Sequence, residues 1–265
     1  WYGWRYQIPF LVSKGFRVIA PDLRGFGQTE APRCPPNDLQ QYGYKNICKD
    51  LKEIMGQLRI IKAIFIGHDW GGGLVWRMCL HYPERVRAVV SPPNDSFLNI
   101  ESLVEVFPNL HYQLYLSHPK AEVELNNNPE LYLKATFRTS KPDDFIKIYD
   151  GKSMTGNVIE GIERSPLMSQ KELDYYVLNY KTHGFHGGLN WYKTRKINYQ
   201  DEKGVRKLLN HHALIHIEEA GHWVMLERPN KLNEYIGTFL ENLKKIGETS
   251  QENQTSRAIS YTNSK

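Results

Sequence analysis

The pentapeptide Gly67-His68-Asp69-Trp70-Gly71 constrains this chain more than any other stretch. Directly before it runs Ala63-Ile64-Phe65-Ile66, short, wholly apolar and strand-like; directly after it, residues 74–81 read as a helix closed by Tyr82-Pro83. A strand that becomes a helix within a few residues needs a sharp turn, and glycines two before and two after the central position permit one. The same turn exposes the central side chain and sets it at a helix N-terminus, where backbone N–H groups and the helix dipole favour an anion. A carboxylate held there suits displacement at an sp³ carbon through an ester intermediate, whereas a serine would suit acyl transfer. Asp69 is therefore read as a nucleophile rather than a plain helix cap.

The rest of the chain supports a sheet for this turn to sit on. Phe16-Arg17-Val18-Ile19-Ala20 reads as a strand stopped by Pro21, and residues 85–91 read as another. Ile47, Leu51, Ile54, Met55 and Leu58 recur at helical spacing over residues 42–58. Short apolar strands alternating with helices point to an α/β fold with a mostly parallel sheet covered on both faces. From about residue 96 to 195 the strand pattern stops. Helical patches at 102–117, 119–136 and 169–182 read as an inserted helical cap. A strand returns at 213–218, and a last helix begins near Pro229, burying Leu232, Ile236, Phe239, Leu240 and Leu243. The expected organisation is thus a core of residues 1–95 and 196–246, a cap at 96–195, and a polar, disordered tail at 247–265.

Several function classes fall away. The net charge of +5 is scattered rather than striped, so nucleic acid is not implied. No apolar run approaches the roughly 20 residues of a membrane span. Cys34, Cys48 and Cys79 lie far apart without a CxxC, which argues for a reducing, cytoplasmic compartment and against a disulfide framework. Gly25-Phe26-Gly27 opens like a dinucleotide fingerprint, but its third glycine would fall at Glu30. His211, His212 and His216 lack companion ligands, and neither metal nor organic cofactor is expected. His183 and His186 flank glycines and read as loop residues. His222, just after the last strand in Gly221-His222-Trp223, is read as the general base, since nucleophile first and histidine last is the order this type of turn carries.

Trp4-Arg5-Tyr6-Gln7, Asp22-Leu23-Arg24-Gly25-Phe26-Gly27, Gly67-His68-Asp69-Trp70-Gly71-Gly72 and Gly221-His222-Trp223 together resemble soluble epoxide hydrolases of the α/β-hydrolase fold. Tyr112-Gln113-Leu114-Tyr115 and Gly188-Leu189-Asn190-Trp191-Tyr192 resemble the segments that carry the family's two lid tyrosines. The resemblance implies hydrolysis of a small-molecule epoxide to a vicinal diol. Asp69 would attack, His222 would activate water, and Tyr112 and Tyr192 would activate the oxirane oxygen. Trp70 would supply a backbone oxyanion donor and a pocket wall. Neutral phenols, with pKa near ~10, can donate to the alkoxide that forms as the ring opens. The elbow alone is shared with haloalkane and haloacetate dehalogenases, the rival among enzymes.

The chain also departs from the family pattern. The His-Gly-Phe-Pro loop and the strand before it would stand ahead of Trp1, which implies an N-terminal truncation. The strand ending in the acid that orients the histidine should lie between Tyr192 and the strand at 213–218, yet no apolar run of strand length is there. Asp95, after the strand at 85–91, is the best-placed substitute acid. A catalytically impaired, non-enzymatic relative is the remaining alternative.

Overall fold

The computed structural model describes residues 1–90, 100–139, 162–202 and 220–249. In chain order the elements are α1 (Gln7–Ser13), α2 (Tyr44–Gln57), β1 (Ala63–Ile66), α3 (Trp70–His81) and β2 (Val86–Val90). There follow α4 (Ile100–Val106), α5 (Tyr112–Ser117), α6 (Pro119–Asn127), α7 (Pro129–Thr136), α8 (Gln170–His183), α9 (His186–Trp191), α10 (Arg195–Glu202), α11 (Val224–Glu227) and α12 (Pro229–Thr249). The chain forms two compact units, one of Trp1–Pro21 with Asn210–Lys265 and one of Asp22–Leu209. Among the described residues no helix is long and apolar enough to cross a membrane.

In the first unit α12 turns Asn233, Ile236 and Leu240 inward, a spacing of three and four residues that marks one helical face. The two chain segments are tied by polar bonds as well. Gln7 Nε2 donates to the Met225 carbonyl (3.2 Å), and Asn233 Nδ2 donates to the Tyr6 carbonyl (3.1 Å). The helix runs through Thr249, past the expected start of the polar tail at 247.

Among the described residues the sheet lies in the second unit. β1 and β2 pair in parallel, with Ile64 opposite Ala88, Phe65 opposite Val89 and Ile66 opposite Val90. One apolar cluster joins Ile47, Cys48 and Leu51 of α2 to Leu74 and Met78 of α3, with Tyr42, Tyr44 and Trp191 completing it. A second joins Tyr115 and Leu116 of α5, Ala121 and Leu125 of α6, Ala135 of α7 and Phe185 and Leu189 around α9. Where it is described, the segment expected to form the cap is helical.

The structure revises four expectations. Residues 16–20 form no strand; a strand exists through its ladder partner, and no described strand pairs with this run. The helix after the elbow begins at Trp70, four residues earlier than its apolar pattern, because the glycines at 71–73 carry no side chains to reveal it. Prolines split the expected cap helices: Pro108 opens a 3₁₀ turn between α4 and α5, and Pro129 starts α7 after Asn128, whose side chain accepts from Leu131 N (3.1 Å). His186 is not a loop residue but a buried member of α9, its Nδ1 3.0 Å from Glu122. The expected strand at 213–218 and Asp95 lie outside the described residues.

The Gly25-Phe26-Gly27 motif also finds its physical reason. Gly25 has φ +90°, and a Cβ there would stand 2.8 Å from the Gly187 carbonyl carbon, so two backbones meet where no side chain fits. Gly25 serves packing against α9, to which the Trp191 indole adds a 3.1 Å bond onto the Arg24 carbonyl, while Gly27, at φ +54°, meets the Asp22 side chain.

Candidate active site

β1 delivers the chain to Asp69, which takes φ 54° and ψ −127° as the N-cap of α3. A non-glycine residue at positive φ is strained by about 1–3 kcal/mol, and such strain persists only where the surroundings enforce it. Here the enforcing contact is at Gly67. A Cβ on that residue would collide with the Gly71 carbonyl oxygen and come 2.6 Å from its carbon. Gly71 itself has nothing within 4 Å of an added Cβ, so only the first of the two flanking glycines is sterically required. Gly73 is small for a different reason: a Cβ would strike the Tyr44 hydroxyl, which reaches over α3 to donate to the Trp70 carbonyl (3.3 Å).

The Asp69 side chain is exposed, and its Oδ1 accepts from Trp70 N at 2.6 Å. One carboxylate oxygen is thus held by a backbone donor. The Trp70 ring meets the Tyr192 ring edge-on, with centroids 5.3 Å apart, and Tyr192 meets Tyr112 edge-on at 6.4 Å. Asp69, Trp70, Tyr112 and Tyr192 therefore come together within the second unit. Burial pushes the Tyr112 hydroxyl up to about 12, and the negative charge of Asp69 adds to the rise. Burial raises Tyr44 also, against the opposing pull of Arg77.

Residues that the sequence did not single out complete the surroundings. Buried Gln113 donates from Nε2 to the Tyr112 hydroxyl oxygen (3.2 Å), and its Oε1 accepts from Arg195. The Arg195 guanidinium lies 5.5 Å from the Trp70 ring centroid. Arg195 stands one turn beyond Tyr192, and Gln113 adjoins Tyr112. Adjacency to the two lid tyrosines was the only signal available for either. The acids near residue 200 are engaged elsewhere: Asp201 accepts from Gln40 (3.0 Å), and Glu202, almost wholly buried, holds Arg77 through two bonds of 2.9 and 3.0 Å.

His222 belongs to the first unit, exposed in the turn before α11, its ring 5.0 Å from that of Trp223. Gly221 N donates to Glu227 (3.2 Å), which ties this turn to the following helix. Among the described residues no group of three His, Cys, Asp or Glu side chains is arranged to hold a metal ion.

A family model described as alpha/beta hydrolase fold matches residues 1–229. The chain is 33% identical over 278 residues to bifunctional epoxide hydrolase 2 of Mus musculus, covering 91% of this chain and 50% of that protein. It therefore spans about half the length of the mammalian relatives it matches. It is 31% identical to epoxide hydrolase srdG of Neurospora crassa, over 90% of this chain and 82% of that one. Among solved structures, epoxide hydrolase A of Mycobacterium thermoresistibile matches with a TM-score of 0.74 and 30% identity, over 91% of this chain and 87% of its own. Potato epoxide hydrolase I matches with a TM-score of 0.70 and 25% identity, over 91% and 89%.

Proposed function

The chain belongs to the epoxide hydrolases of the α/β-hydrolase fold, and we propose that it opens a small-molecule epoxide to a vicinal diol through an ester on Asp69. The observation that carries this reading is the meeting of the strained, exposed Asp69 with two phenols across the Trp70 ring. A leaving halide would call for indole N–H donors. A nascent alkoxide calls for O–H donors, which is what this site offers.

In the first half-reaction the Oδ2 lone pair of Asp69 forms a bond to an oxirane carbon. The ring C–O bond breaks, its electrons pass to the ring oxygen, and Tyr112 or Tyr192 donates a hydrogen bond or proton to it. The elevated Tyr112 hydroxyl stays protonated near neutrality, so it remains a donor beside a carboxylate. In the second half-reaction His222 takes a proton from water, and the hydroxide attacks Cγ of the ester. Oδ1 then becomes the oxyanion, and it is the atom that already accepts from Trp70 N. Collapse breaks the Cγ–Oδ2 bond, the leaving alkoxide takes the proton from His222, and the proton left on the regenerated Asp69 carboxyl returns to the tyrosinate where a tyrosine gave one up. The three cysteines are free thiols, which supports a cytoplasmic setting for this chemistry.

Incubation with a reactive styrene-type epoxide, an acid quench and peptide mass spectrometry test the assignment. The expected adduct lies on the peptide containing Asp69 and vanishes in Asp69→Asn. An adduct confined to Cys79 or a histidine would overturn the reading.

A further inference from the structure

Arg24, Arg77 and Arg195 of the second unit are each half-buried, and they are treated differently. Arg24 donates twice to Asp50 (3.0 and 2.7 Å), and Arg77 donates twice to Glu202 (2.9 and 3.0 Å). Arg195 has no ion pair with any described carboxylate. Its one polar bond to a side chain is to the neutral amide of Gln113, and its Nε is buried with no hydrogen-bond partner. A guanidinium presents five donors in a fixed fork that matches a carboxylate, and withdrawing it from water without an anion is unfavourable. Burial accordingly lowers its pKa, while the neighbouring Tyr44, Tyr112 and Tyr192 pull the other way. Those three phenols and the Trp70 ring, 5.5 Å away, bring this cation beside the groups assigned to oxirane opening.

We propose that Arg195 is a specificity-determining residue that selects oxiranes bearing a carboxylate within a few bonds of the ring. The inference rests on the epoxide reading and names its substrate class. A carboxylate taken up by the Arg195 guanidinium would supply the anion that Asp50 and Glu202 supply to Arg24 and Arg77. Because the cation lies next to the phenols, the anionic group must sit close to the ring. A distant one on a long chain would miss it. The Arg195–Gln113–Tyr112 chain fixes the geometry: Gln113 holds the guanidinium with its oxygen and the Tyr112 oxygen with its amide.

The probes are 3-phenyloxirane-2-carboxylate and the corresponding carboxamide, alike in shape and different in charge. The ratio of their kcat/KM values, and of their rates of Asp69 labelling, should favour the carboxylate on the order of 10- to 100-fold, the scale of a charge-assisted pair. That preference should vanish in Arg195→Met and survive in part in Arg195→Lys, which keeps the charge and loses the fork. Should Arg195→Met not fold, the wild-type ratio and the Arg195→Lys ratio still decide. Equal handling of the two probes by the wild type, or an unchanged ratio in Arg195→Met, would overturn the proposal while leaving the epoxide reading intact. Failure of both probes to label Asp69 would overturn both.

Discussion

At the level of single residues, the proposed mechanism gives the two oxygens of Asp69 separate tasks. Oδ1 accepts from Trp70 N at 2.6 Å, and Oδ2 is the proposed attacking atom. Removing the negative charge with Asp69→Asn should therefore suppress adduct formation by at least about 10³-fold, measured by rapid quench, since an amide is too weak a nucleophile to form the ester. Tyr112→Phe and Tyr192→Phe should each slow ring opening by roughly 10²-fold and together by more, in line with positioned general acids. The pH dependence has a definite sign. Tyr112 donates only while protonated, and burial and Asp69 push its hydroxyl up to about 12, so its donor form persists above the range where an ordinary phenol ionises. The alkylation rate should stay level on the alkaline side through roughly pH 10. A fall with a midpoint at or below that value, followed by stopped-flow Trp quenching, would contradict the assignment.

At the level of elements, the turn at 67–71 was legible because its two constraints are written as residue types: a glycine that fits nowhere else and a carboxylate at a helix start. The structure refines this by separating the glycines. Gly67→Ala forces a Cβ into the Gly71 carbonyl and should cost about 1–3 kcal/mol or prevent folding, whereas Gly71→Ala meets open space and should be neutral or mildly stabilising. Chemical denaturation of the two variants checks the contrast. The α10 anchor gives a second case. Glu202→Gln leaves Arg77 buried without its counter-charge and should cost roughly 3–5 kcal/mol, the usual penalty for breaking a buried pair. Helices α2 and α12 were readable from apolar spacing. The breaks at Pro108 and Pro129 are written as helix-starting prolines, although the apolar pattern runs on through them. The loss of the strand at 16–20 was not readable, because pairing depends on a partner distant in sequence. Arg195 and Gln113 were not readable for a similar reason: nothing in their local sequence marks their contacts with Trp70 and Tyr112.

At the level of the whole molecule, the nucleophile, its backbone donor and the two phenols come together in one unit, while His222 belongs to the other. In the proposed mechanism ring opening draws on the first set alone. Ester hydrolysis there draws on His222, and the sequence between Tyr192 and residue 213 has no apolar run to carry an orienting acid. Loss of such an acid in a serine-protease triad costs about 10⁴-fold, a scale by which ester hydrolysis should lag behind attack. A fast quench of Trp fluorescence followed by slow diol release is the expected time course. Steady turnover at roughly 1 s⁻¹ or faster would mean that another carboxylate orients His222. The covalent route itself is tested most directly by isotope placement. With enzyme in excess over a styrene-type epoxide in water enriched in ¹⁸O, and the reaction carried to completion, attack at Cγ leaves the solvent oxygen in the carboxylate of Asp69. The peptide containing Asp69 should gain ¹⁸O while the first-turnover diol stays unlabelled; ¹⁸O in that diol with none in Asp69 would contradict the ester mechanism.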